Sequence, residues 1–267
     1  MKLSGKTVVI TGAGNGMGRQ MVLESLRRGA NVYGIDMSES ALEATAAAAG
    51  KGAKFSYSTV DITDRTAVSA LPSKVLAAFG AIDVLVNNAG IIQPFVKVNE
   101  LSLKDADHVM NVNFFGPLNM IKAFLPELLK RPAAQIANVS SMGGYGPVPG
   151  QTVYGASKAA VKLLTEGLRS ELLSSKVAVT LIYPGAVGTD IASNSHVTID
   201  MPTGADMPSI KMTSVENAGR IMIDGIEAGK ARVFVGNDAK MMDLLVRLMP
   251  VKAAELIAKQ MAGLLKD

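Results

Sequence analysis

TVVITGAGNGMG, residues 7–18, holds three local instructions in a row. Thr7–Thr11 is a β-branched run of the kind that favours an extended strand. Gly12 permits a tight turn, and Gly16 and Gly18 let a ligand and a neighbouring strand approach the backbone closely. Apolar positions at Met21, Val22 and Leu26 then recur at helical spacing, which predicts a helix over Met17–Arg28. A helix beginning there points free N–H groups and its positive dipole end at whatever fills the turn, which suits a pyrophosphate. Gly12, Asn15, Gly16, Met17 and Gly18 are therefore candidate cofactor contacts.

A glycine turn alone is weak evidence, because many exist only to turn the chain. The next strand-like run, NVYGID at 31–36, adds context by ending in Asp36. An acid about 20 residues past the glycines is placed to accept hydrogen bonds from a ribose 2′-hydroxyl. The plainer alternative is that Asp36 only opens the following helix as a solvated turn residue.

Working outward, five more such runs appear, at 54–60, 82–90, 134–141, 177–185 and 231–236. Helical patterns separate most of them. One runs from Ser38 as N-cap to Gly50 as stop, and another from Asp64 to Gly80, where Pro72 should kink or break it. This β–α alternation predicts a parallel sheet covered on both faces. No linker or repeat interrupts it, so one domain over 1–267 is the expected count. Two stretches break the rhythm: residues 190–214, and an apolar, helix-prone tail at 237–267 on both sides of Pro250.

Bulk composition narrows the function classes. The chain has 267 residues, 48% hydrophobic and 19% charged, which fits a soluble globular protein. With no cysteine, disulfides and thiolate metal sites are excluded, and a reducing compartment is suited. His108 and His196 lie far apart, so a histidine metal site is not expected. Net charge is +4 without a basic run, which gives nucleic-acid binding little support. The strand run at Thr7 leaves no room for a cleavable leader, and no apolar stretch is long enough to span a bilayer. A cytoplasmic location is the resulting expectation.

Tyr154 and Lys158 lie in YGASKAAVK at 154–162, one helical turn apart and on one face. Ser141 precedes Tyr154 by 13 residues, at the end of the fifth run, and Asn113 sits in NVNFFG within a helical stretch. NNAG closes the fourth run at 87–90, and PGAVGT closes the sixth at 184–189. Each alone has a plain structural reading: a strand-end cap, a helix-kink residue, a solvated lysine or an interface aromatic. Together they sit at strand ends, where open α/β sheets bind ligands.

As a set these motifs resemble the short-chain dehydrogenase/reductase family over about residues 5–236. Its TGxxxGxG matches Thr11–Gly18, its NNAG matches Asn87–Gly90, its tetrad matches Asn113, Ser141, Tyr154 and Lys158, and its PGxVxT matches Pro184–Thr189. The resemblance implies a single-domain Rossmann fold, a doubly wound seven-stranded parallel sheet with helices on both faces. It implies reversible hydride transfer between a nicotinamide cofactor and a carbonyl/alcohol pair. Tyr154 is then the acid/base. An unperturbed phenol, with a pKa of about 10, needs the Lys158 ammonium and the oxidised nicotinamide's charge nearby to favour phenolate. Lys158 also bonds the nicotinamide ribose, Ser141 holds the substrate oxygen, and Asn113 supports a water leading from Lys158 to solvent. By the same carry-over Asp61 and Ile62 hold the adenine, Asn88, Ala89 and Gly90 line the cofactor, and Pro184, Gly185, Val187 and Thr189 meet its nicotinamide end.

Asp36 with uncharged Asn15 and Met37 favours NAD over NADP, and Arg19 is expected to point elsewhere. Met142, Tyr145, Pro147, Val148, Met201 and Met207 make an apolar alcohol or ketone the expected substrate. AAVKLLTEGL keeps apolar residues on the Tyr154 helix, and the resemblance implies that the helices carrying Asn113 and Tyr154 pair between subunits, so a homotetramer is the expected assembly. Two other classes compete: a non-catalytic nucleotide-sensing relative, and a membrane- or partner-binding role through the tail. The intact tetrad argues against the first. The tail's two-sided apolarity suits burial better than a lipid interface.

Overall fold

The computed structural model describes residues 1–189, 191–195, 197 and 212–261. Its strands are β1 (Thr7–Thr11), β2 (Asn31–Asp36), β3 (Phe55–Thr59), β4 (Val84–Asn87), β5 (Ala134–Val139), β6 (Val177–Pro184) and β7 (Arg232–Val235). They form one seven-stranded sheet in the order β3-β2-β1-β4-β5-β6-β7. Every neighbouring pair is parallel. The order reverses between β1 and β4, and such a switch point opens a crevice at the carboxyl ends of the strands.

The helices are α1 (Gly16–Arg27), α2 (Glu39–Ala49), α3 (Arg65–Ser69), α4 (Leu71–Phe79), α5 (Leu103–Met110), α6 (Gly116–Leu129), α7 (Thr152–Glu171), α8 (Ile191–Asn194), α9 (Val215–Glu227), α10 (Asn237–Leu248) and α11 (Pro250–Gln260). Alternate side chains of one strand leave for opposite faces, so each strand feeds two cores. Val8 and Ile10 join Met21, Leu42, Met222 and Ile226 under α1, α2 and α9. Val9 and Leu85 join Val75, Met120, Phe124 and Leu168 under α4, α6 and α7. This two-sided burial explains the nearly continuous apolar strands.

Local signals act as the sequence predicts. The Ser38 hydroxyl accepts from Ala41 N–H at 3.3 Å to cap α2, and Gly50 ends that helix at φ +82°. Pro72 breaks the Asp64–Gly80 pattern: α3 stops at Ser69, and Pro72 sits in the first turn of α4, where its missing N–H costs nothing.

One element differs from expectation. The helical stretch holding Asn113 is not uniform, because a π turn over Asn111–Phe115 joins α5 to α6. Among its described residues the tail forms α10 and α11 and leaves part of its apolar content on the surface of the single chain. Ala239, Ala253 and Ile257 are inside, while Met241, Leu244, Leu248, Val251 and Leu256 are exposed. Among the described residues no helix is long and apolar enough to cross a membrane.

Candidate active site

The turn after β1 is shaped by close contacts that only glycine allows. Gly12 has φ +67°, and a Cβ there would lie 2.9 Å from Asn88 Nδ2 and 3.0 Å from Ala89 Cα. At Gly18 a Cβ would fall 1.8 Å from the Gly12 carbonyl oxygen. The loop is therefore pressed against the NNAG segment after β4. Thr11 ties the two together: its hydroxyl accepts from Asn88 N–H and Ala89 N–H, both at 3.0 Å, and its carbonyl accepts from Asn88 Nδ2 at 3.0 Å.

Helix α1 starts beyond this turn, and Asn15 gives it no side-chain cap. The helices α2, α3, α5 and α9 are capped by Ser38, Asp64, Ser102 and Ser214. The Asn15 amide oxygen instead accepts from Arg19. An uncapped helix start beside a glycine cradle fits a dinucleotide pyrophosphate. Met17, within the first turn, is partly buried against the core below.

Asp36 is not a free turn residue. One carboxylate oxygen accepts from Gly14 N–H at 2.9 Å and the other from Ser38 N–H at 3.0 Å. Gly14, which the sequence reading did not single out, is therefore what orients the acid. Arg19 turns back onto the Gly14 carbonyl, Asn15 and the Thr45 hydroxyl, as expected for a side chain not facing the ribose. Asp36 pairs in register with Thr59, so the loop after β3 begins beside the acid. There Asp61 accepts from Thr63 N–H at 2.8 Å. Ile62 is buried, and its carbonyl accepts from Asn119 Nδ2 at 3.1 Å.

Pro184 ends β6. Gly185 bonds to the Val235 carbonyl, and Ala186 N–H donates to Asp238 Oδ2 at 2.6 Å. Val187 bridges Thr213, and Thr189 lies over the glycine loop, its Cγ2 3.6 Å from where a Gly16 Cβ would be. The loop after β6 thus folds toward the pyrophosphate cradle. Asp238, at the start of α10, is a further residue the sequence did not flag.

The tetrad residues come together at the ends of β4 and β5. Ser141 follows β5 and caps the short 3-10 turn Met142–Gly144, its hydroxyl accepting from Gly143 N–H at 3.0 Å. A Cβ on Gly143 would lie 3.4 Å from Tyr154 Cε1 and 3.5 Å from Ser141 Oγ, so both side chains border the same glycine. Tyr154 leaves the first turn of α7, and Lys158 Nζ sits 5.9 Å from the centre of its ring. Lys158 is 4% exposed and donates to the Val139 carbonyl at 3.2 Å. Burial lowers its pKa from the usual lysine value to about 8.

In the free chain, without the charge of an oxidised nicotinamide, Tyr154 is not shifted toward phenolate. Burial raises its pKa, and the Ser141 hydrogen bond offsets this only in part. The ammonium is committed to a carbonyl rather than to the phenol. Asn113 is buried and uses its side chain to hold the loop after β4 against α7. Its Oδ1 accepts from Ile91 N–H at 2.8 Å, and its Nδ2 donates to the Ile91 carbonyl at 2.9 Å and to Ser157 Oγ at 3.0 Å. The π turn delivers the amide to this position between the loop after β4 and helix α7.

Of the residues expected near a substrate, Tyr145 donates its hydroxyl to the Ala239 carbonyl, and its ring packs edge-on against Tyr183 at 5.1 Å. It anchors α10. Met142, Pro147 and Val148 lie in the segment after Ser141; Met201, Met207 and His196 lie outside the described residues. Among the described residues no cluster of metal-ligating side chains occurs.

A doubly wound parallel sheet with a glycine cradle at its switch point defines a nucleotide-binding class of α/β protein. The chain belongs to the short-chain dehydrogenase family: the model described as short chain dehydrogenase matches residues 6–199. It is similar to the oxidoreductase SadH of Mycobacterium tuberculosis, 36% identical over 97% of this chain and 96% of the relative. Among solved structures it is similar to a short-chain dehydrogenase/reductase from Burkholderia phymatum in complex with NAD. The TM-score there is 0.84, with 27% identity over 94% of this chain and 96% of that one. A short-chain dehydrogenase from Burkholderia cenocepacia in complex with NADP gives a TM-score of 0.81, with 28% identity over 96% and 99%. The same fold thus serves both dinucleotides, and the choice between them rests on local residues.

Proposed function

We propose that this chain is a single-domain, NAD-dependent oxidoreductase that interconverts an apolar secondary alcohol and its ketone, with Tyr154 as acid/base. The observation that carries this reading is the convergence of Tyr154, Ser141 and Lys158 beside the glycine cradle, with Tyr154 and Ser141 bordering one glycine. When bound, the nicotinamide gives or takes the hydride. The protein's own part is the proton. Because burial raises the Tyr154 pKa, the phenol is protonated at neutral pH and ready to donate to a carbonyl oxygen held by the Ser141 hydroxyl. Lys158, buried and near its pKa, supplies positive charge on the face of Tyr154 and a donor for the nicotinamide ribose.

Asp36 supports NAD. Fixed by Gly14 and Ser38, its carboxylate keeps lone pairs for ribose hydroxyls and repels a 2′-phosphate. Met37 is 73% exposed beside it and brings no compensating cation. Asn88, Ala89, Gly90, Pro184, Gly185, Val187 and Thr189 line the remainder of the cofactor site, with Asp61 and Ile62 at the adenine end. Apolar residues exposed on the π turn and α7, Phe115 and Leu163, support a homotetramer.

The test is a panel of secondary alcohols and ketones followed by cofactor absorbance. Tyr154→Phe should retain NADH binding and lose at least about 10²-fold in turnover, the usual size of an acid–base contribution. Wild-type turnover in that variant overturns the reading.

A further inference from the structure

Three consecutive residues after NNAG each grip a different element of the site. Ile91 is clasped at both its N–H and its carbonyl by Asn113. Ile92 N–H donates to Ser195 Oγ at 3.0 Å, just beyond α8. Gln93 reaches the start of α7. It is 0% exposed, and its carboxamide makes three hydrogen bonds. Its Oε1 accepts from Val153 N–H at 2.8 Å and Tyr154 N–H at 2.9 Å, and its Nε2 donates to the Gly150 carbonyl at 2.9 Å. The Gln93 backbone carbonyl in turn accepts from Gln151 Nε2 at 2.7 Å.

We propose that Gln93 is the positioning residue that holds the Tyr154 phenol against the Ser141 hydroxyl. The inference rests on the assignment of Tyr154 as acid/base. The first N–H groups of any α-helix lack intrahelical partners, so a first turn frays unless something caps it. Gln151, at the N-cap position of α7, provides no side-chain cap. Gln93 fills that role from 60 residues away in sequence, and one of the two N–H groups it holds belongs to Tyr154 itself. The same amide fixes Gly150 in the loop that runs back toward Ser141. One neutral side chain thus sets the approach of the Tyr154 helix and of the preceding loop. A carboxylate in its place would keep the acceptor toward Val153 and Tyr154 but set an oxygen against the Gly150 carbonyl.

The experiment compares Gln93→Met, which keeps length and loses all three hydrogen bonds, with Gln93→Glu, which keeps the acceptor. Tyr154→Phe is measured alongside. A displacement of about 1 Å at a reacting group is worth up to about 10²-fold, so Gln93→Met should lose at least about tenfold in kcat. Its NADH dissociation constant should stay within about twofold of wild type, because the groups that cradle the dinucleotide are not touched. The primary deuterium isotope effect on kcat should rise as the chemical step slows. Gln93→Glu keeps the acceptor toward Val153 and Tyr154 and loses the bond to Gly150, so it should lose less in kcat than Gln93→Met. Wild-type kcat in folded Gln93→Met overturns the proposal, as does a kcat loss matched by an equal loss of NADH affinity. If Gln93→Met does not fold, Gln93→Asn, whose amide is one methylene too short to reach both N–H groups and the Gly150 carbonyl, takes its place: a loss of at least about tenfold in kcat with NADH affinity within about twofold supports the proposal, and wild-type kcat overturns it. Full activity in Tyr154→Phe instead removes the assignment of Tyr154, a different failure from full activity in Gln93→Met alone.

Discussion

Gly90→Ala adds one methyl group, and its consequences can be worked from the contacts around it. The Gly90 backbone lies outside the positive-φ region, so alanine is not strained there. The new Cβ would sit 2.9 Å from Lys158 Nζ and 3.1 Å from Asn113 Oδ1. Non-bonded carbon contacts are comfortable at about 3.5 Å, so Nζ has to retreat by about 0.6 Å. Among the described residues its hydrogen-bond acceptor is the Val139 carbonyl at 3.2 Å, and a retreat of that size away from it leaves the hydrogen-bonding range. Lys158 is the long, flexible side of the clash, so the fold survives, with an overpacking cost of about 1–3 kcal/mol. Turnover should suffer more, because a misplaced ammonium no longer supports the Tyr154 proton transfer; we expect a loss of about 30- to 100-fold in kcat. The assay is steady-state oxidation of a secondary alcohol, with thermal unfolding run in parallel. Gly167→Ala, on the same catalytic helix with nothing within 4 Å of the added methyl, is the control and should keep full turnover. Wild-type kcat in Gly90→Ala, or an equal loss in Gly167→Ala, would refute the reasoning.

Cofactor choice should follow Asp36. A like-charge contact in a half-exposed setting is worth about 2–3 kcal/mol, so NAD should be preferred over NADP by about 30- to 150-fold, and Asp36→Ala with Met37→Arg should narrow or invert the ratio of kcat/KM values. Equal efficiency of the unmodified protein with both dinucleotides would count against the assignment. The lowered pKa of Lys158 has a signed effect on stability. Below about 8 the lysine is charged in both the folded and the unfolded chain, and the burial penalty is fully present. As pH rises from about 8 toward the usual lysine value, the unfolded chain holds the proton more tightly, so the cofactor-free protein should gain stability relative to Lys158→Met. Urea unfolding of both proteins at several pH values measures this, and parallel pH profiles would show that burial does not penalise the ammonium. Light scattering should give a tetramer, and only monomer at micromolar concentration would refute that assembly.

The sequence by itself determined the local elements and the identity of the chemical groups. Seven β-branched runs became seven strands; the inner ones, such as β1, β4 and β5, are nearly continuously apolar or fully buried because a parallel sheet is covered on both faces, while the edge strand β3 is not. Pro72, Ser38 and Gly50 marked their boundaries because helix breaking and capping are short-range effects. Asp36, Ser141, Tyr154 and Lys158 stood out because their spacing ties them to strand ends and to one helical face. Tertiary structure alone decided how these groups are held. Gly14 orients Asp36 from 22 residues away, and Asp238 braces Ala186 from 52. Asn113 reached its place only through a π turn, and there its amide is consumed by Ile91 and Ser157. Gln93 carries no sequence signal of its own; only the fold brings the start of α7 against it. The direction of the Tyr154 shift also belongs to the fold. Spacing places an ammonium one turn away, but desolvation depends on what packs around the phenol, and here burial outweighs the Ser141 hydrogen bond. Local pattern fixes which atoms are available; their distances, partners and solvation come from segments far apart in the chain, and no short window of sequence contains them.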